Sequence, residues 1–154
     1  MDDTSIIDDT FQEILQDFLI ESFTLVEKLD EKIAALEKTP EDLELLNEIF
    51  HVIRTLKGAS SFLNFDGLTH LAQHIEDVIH QAKDGDLIIA QDNIHTLLES
   101  IKLIKALLNT IRDTSNNAGI DTSTCVARLN KISAKSGIWS RILKRIKQII
   151  KRDF

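Results

Sequence analysis

Apolar residues return every three or four positions along most of this chain, the interval that gathers them on one side of an α-helix. Phe11, Ile14, Leu15, Phe18, Leu19, Leu25, Val26, Leu29, Ile33 and Leu36 trace the first stripe. It predicts a long helix ending near Lys38, with Asp8 or Asp9 as its cap and residues 1–9 as a flexible acidic lead. Thr39-Pro40-Glu41-Asp42 then turns into a second helix, offering a cap, a proline suited to a first turn and acidic groups facing the helix dipole. Leu43, Leu46, Ile49, Phe50, Ile53 and Leu56 form the inward side of that helix. A third helix begins after Asp66, with Leu68, Leu71, Ala72, Ile75, Val78, Ile79 and Ala82 on its apolar face. Asp84-Gly85-Asp86 breaks the pattern, and Leu87-Ile88-Ile89 reads as the lead into a fourth helix over roughly Asp92 to Arg112.

Four such helices with short connections predict an all-α fold, an antiparallel four-helix bundle over residues 10–113. A polar linker is read at 114–120, and a fifth helix at 121–134 runs through Val126, Leu129 and Ile132 with Thr122 or Ser123 as cap. After Ser136-Gly137 a basic amphipathic C-terminal helix is expected at 138–153, with Ile138, Ile142, Ile146 and Ile149 on one side. Such a helix suits an anionic membrane, a partner's groove or the acidic bundle itself, and all three stay open at this point.

Composition narrows the function. A chain of 154 residues with 43% hydrophobic and 28% charged residues is long enough for one domain with a real core. A net charge of −7 argues against bulk nucleic-acid binding. The single Cys125 permits no internal disulfide and fits a reducing cytoplasm. With no apolar run long enough for a bilayer and no basic-then-apolar leader, a cytoplasmic location is expected. No phosphate-cradling glycine-rich loop is present, so the domain is expected to bind no cofactor, any ATP and Mg chemistry coming from another domain or chain.

The most informative stretch is Ile49-Phe-His-Val-Ile-Arg-Thr-Leu-Lys-Gly58 with Phe62-Leu63-Asn64-Phe65 behind it. His51, Arg54, Thr55, Lys57 and Gly58 fall on the polar side of the second helix. A glycine inside a helix costs about 1 kcal/mol against alanine, so Gly58 implies that something approaches this surface closely. On the next helix Gln73, Glu76 and His80 form a line three and four apart. His70 and His74, also four apart, lack the Glu or Cys pattern of a closed metal site, and no metal is expected.

These residues, with Leu68-Thr69-His70-Leu71, resemble the histidine-phosphotransfer (HPt) domains of CheA-type chemotaxis kinases over about residues 8–113. The resemblance implies a two-component phosphorelay module presenting its site on the second and third helices. It implies docking of a histidine kinase's ATP-binding domain and of a response-regulator receiver domain there. It also implies a cytoplasmic protein, at chemoreceptor arrays or the inner membrane surface. The family's acceptor histidine corresponds to Arg54, and the family arginine three residues before it to His51. Guanidinium has donors only and stays charged, so Arg54 cannot serve as the nucleophile and phosphotransfer is expected to be lost. The glutamate that orients the family's imidazole corresponds to Glu76, expected here to pair with Arg54, and the family's auxiliary histidine to Gln73. Lys57 and Gly58 are retained, the lysine for phosphoryl oxygens or a partner's carboxylates, the glycine for space.

Three readings remain: a docking surface that receives no phosphate, a relocated acceptor at His51, or a structural or membrane-associated protein acting through residues 138–152. A shift of one helical turn moves the imidazole about 5 Å, which in-line transfer should tolerate poorly.

Overall fold

In the computed structural model, which describes residues 3–116 and 119–152, Leu29, Ile33 and Leu36 of the first helix share one solvent-free core with Ile49, Ile53, Leu56, Leu71, Ile75, Leu97 and Ile101. Five helices supply it among the described residues: α1 (Asp3–Lys38), α2 (Leu43–Phe62), α3 (Asp66–Lys83), α4 (Gln91–Thr114) and α5 (Ser123–Arg152). The first four form the antiparallel bundle, with α2 packed chiefly on α3 and α1 chiefly on α4. Ion pairs lace the outside, Lys32 to Glu48 at 2.6 Å between α1 and α2, and Lys105 to Asp30 between α4 and α1. Among the described residues no helix is long and apolar enough to cross a membrane.

The turn from α2 to α3 sets the site's geometry. Asn64 takes a left-handed conformation (φ 61°), which asparagine tolerates better than most residues, and the Phe65 N–H donates to the Ser60 carbonyl at 2.9 Å. The reversal takes three residues, so the last turns of α2 lie alongside the first turns of α3.

Several boundaries differ from the sequence reading. Helix α1 begins at Asp3, so neither Asp8 nor Asp9 is a cap and the expected flexible stretch at 1–9 is helical wherever it is described; Met1 and Asp2 lie outside the described residues. Asp42 caps α2, its carboxylate accepting from the Leu45 N–H at 3.2 Å, so Pro40 stands in the turn before the helix. Leu43, the first helical residue, is 55% exposed and faces outward.

The tail departs most. Where a fifth helix, a break at Ser136-Gly137 and a separate basic helix were expected, α5 is one helix from Ser123 to Arg152. A lone glycine with no proline beside it costs about 1 kcal/mol, which weakens a helix without ending it. Cys125 and Leu129 dock its first half against α3 and α4. The side chains at 135–140, Ile138 and Trp139 included, lie outside the described residues, as do residues 153 and 154 and, in the linker, 117 and 118.

Candidate functional site

Lys57 and Glu76 face each other across the α2–α3 seam, and their meeting organises the site. Lys57 Nζ lies 2.6 Å from Glu76 Oε2, an ion pair whose angle is not that of a hydrogen bond. The directed hydrogen bond of the same ammonium goes to Gln73 Oε1 at 3.0 Å. Gln73 in turn donates through Nε2 to Asp77 Oδ1 at 2.9 Å. Glu76 keeps 14% and Lys57 25% of side-chain exposure, so solvent screens this pair less than a surface bridge. Just behind it the Ser60 hydroxyl donates to the Lys57 carbonyl and lies 3.0 Å from the Thr69 hydroxyl, a polar stitch between the same two helices.

Arg54 does not reach Glu76, against the sequence expectation. It is exposed, and its guanidinium carbon sits 5.6 Å from the centre of the Phe50 ring, one turn back on its own helix. A cation on an aromatic face at this distance is worth about 0.5–1 kcal/mol at an exposed site. Lys57, one turn further along α2, carries a flexible four-carbon stem that enters the half-buried seam, where a carboxylate most needs a counter-charge. The lysine takes the glutamate, and the arginine stays on the ring.

Phe50 is a hub that periodicity alone did not single out. Lys83 Nζ lies 3.9 Å from its centroid, and the His80 ring stacks on it at 5.8 Å with an interplanar angle of 29°. His80 also lies 3.3 Å from Asp84. The available signal was the seven-residue step from Glu76 to Lys83, which places Lys83 on the Glu76–His80 face at the end of α3.

His51 is exposed, and no side chain among the described residues holds its ring. An imidazole acceptor needs its second nitrogen anchored, so this position lacks the support that Glu76 gives the seam. Gly58 is exposed, and a Cβ built on it would meet nothing within 4 Å. The chain's own packing therefore does not require the glycine. His70 and His74 meet edge to face at 4.7 Å; burial, then the neighbouring His70, lowers the His74 pKa from its ordinary 6.5. No group of three His, Cys, Asp or Glu that could hold a metal occurs among the described residues.

An antiparallel bundle that opens a polar seam and a bare glycine on its second and third helices has the form of a histidine-phosphotransfer module. The chain belongs to the Hpt domain family, which it matches over residues 13–114. It is 51% identical over 109 residues to the sensor histidine kinase CheAY of Helicobacter pylori, covering 71% of this chain and 14% of that protein's length. The solution structure of the histidine phosphotransfer domain of CheA superposes with a TM-score of 0.72 at 24% identity, covering 77% of this chain and 90% of the other. The phosphorylated P1 domain of CheA3 from R. sphaeroides, solved in complex with CheY6, gives 0.69 at 17% identity, covering 81% and 96%. At these identities the two structures show the shared fold.

Proposed function

We propose that this chain is an Hpt module of a chemotaxis-type relay in the cytoplasm that docks signalling partners over α2 and α3 while carrying no phosphoryl group at residue 54. The observation that carries the reading is an exposed Arg54, resting on Phe50, at the position the family motif gives to the acceptor. A guanidinium offers no lone pair for attack on phosphorus at neutral pH. Lys57 and the open Gly58 lie beside it, so the surface keeps a positive group and room for close approach.

The partner proposed is a response-regulator receiver domain, whose acidic aspartate pocket complements Lys57 and Arg54. The complex of the CheA3 P1 domain with CheY6 supports this choice by analogy of fold. A kinase ATP-binding domain is the second proposed partner, and ATP and Mg would enter only with it. Gln73 and Glu76 hold Lys57 in place in this reading, acting as positioning residues.

The test is to incubate the chain with a chemotaxis kinase core and ATP, and to map acid-labile phosphate by mass spectrometry beside Arg54→His and His51→Gln. The expected result is no label on the unmodified chain and label at residue 54 in Arg54→His. Label on the unmodified chain that disappears in His51→Gln would overturn the reading and establish His51 as a moved acceptor.

A further inference from the structure

The second half of α5 leaves the bundle. From residue 141 to 151 every side chain is exposed, and among the described residues Lys144 pairs with Asp86 of the bundle at 3.2 Å while itself staying 69% exposed. Ile142, Leu143, Ile146, Ile149 and Ile150 are between 41% and 61% exposed, large aliphatic groups with no cover. At about 100° per residue they fall within a sector of roughly 120°. Arg141, Lys144, Arg145, Lys147 and Lys151 occupy the remainder of the circumference, and no Asp or Glu interrupts them. The segment also lies outside the stretch matched by the Hpt family, so the bundle's own role does not account for it.

We infer that residues 141–151 bind an anionic lipid surface, lying in the headgroup plane with the isoleucine sector down and the cations at phosphate level. The apolar sector is wider than the narrow seam of a two-helix coiled coil, and it matches a helix half-sunk at an interface. Charge selects the occupant. The chain's own apolar groove between α1 and α2, of about 290 Å³, is lined by Ile14, Phe18, Leu25 and Phe62, and it sets two carboxylates, Asp17 and Glu21, against five cations. An anionic bilayer offers a negative charge to every one of them. The rest of the chain is acidic, the whole carrying −7, so the same surface that attracts the tail repels the bundle. The inference does not depend on whether residue 54 is phosphorylated.

The test uses the full chain in flotation with vesicles of phosphatidylcholine alone and with about 30% phosphatidylglycerol. Binding is expected to the anionic vesicles only, weakening as salt rises. The double variant Lys147→Gln with Lys151→Gln is expected to lower partitioning about 25-fold, fivefold for each cation removed. Ile146→Glu with Ile149→Glu is expected to abolish binding while circular dichroism shows the bundle intact, since both side chains are exposed. Absence of binding to anionic vesicles, or binding that survives the isoleucine substitutions, overturns the inference. So does light scattering in lipid-free buffer that finds a dimer dissolved by the same isoleucine substitutions, which would assign the face to a second copy of the chain.

Discussion

Glu76 is held by Lys57 at 2.6 Å, while Arg54, one turn back on α2, is turned onto Phe50. The two cations of one helix face thus have separate duties, one inside the seam and one on its outer edge. That division gives their substitutions different energetic signatures.

Lys57→Met removes the counter-charge from a carboxylate with 14% exposure, and is expected to lower unfolding free energy by about 2 kcal/mol. Arg54→Gln loses only an exposed cation–π contact and is expected to stay within about 0.5–1 kcal/mol of the parent. Urea unfolding of the two variants measures the contrast. A loss in Arg54→Gln as large as that in Lys57→Met would mean that the arginine supports the fold as much as the lysine does.

Gly58→Ala is expected to stabilise the chain by about 0.5–1 kcal/mol, because the added Cβ meets no atom of the protein and alanine suits the interior of α2 better. Thermal unfolding reads the gain. In the proposed docking role, Gly58→Leu leaves the fold intact and weakens capture of a receiver domain, measured by titration calorimetry. A loss of stability in Gly58→Ala would show that the glycine serves the bundle itself.

The pH dependence follows from His74. Its folded-state pKa lies below 6.5, through burial first and the charge of His70 second, so the unfolded chain binds that proton more readily. The contribution of His74 to stability is complete above the unfolded value and falls away as pH drops from about 6.5 toward the folded value. His74→Gln is expected to flatten the stability profile between pH 7 and 5, followed by urea midpoints at each pH. A profile as steep as the parent's would assign the slope to other groups.

How far the sequence carried the fold can be judged helix by helix. The end of α1 at Lys38 was legible because apolar periodicity stops at Thr39-Pro40, and the start of α3, read just after Asp66 and found at Asp66, because it resumes with Leu68 and Leu71. The continuity of α5 was not legible, since Ser136-Gly137 looks like a stop only when local propensity is weighed without the helix on either side. At the site, spacing placed Lys57 on the polar side of one helix and Gln73 with Glu76 on a line of the next, and the family resemblance implied that the two faces share one site. It could not tell which of two cations three residues apart would cross to Glu76, a choice made by stem flexibility and by the ring at Phe50. The Phe50 cluster escaped notice because an aromatic on a helical stripe reads as core, whereas here it is half-exposed and topped by cations.

His51 and Arg54 are both exposed on one helix, and neither side chain enters the core. Trading the two would leave the chain's composition, net charge and core volume unchanged. Folding is thus nearly indifferent to which residue holds which place. A change of this kind costs the fold little more than the exposed Arg54–Phe50 contact, so the demand for a reactive nitrogen at one position is what would keep the two in order.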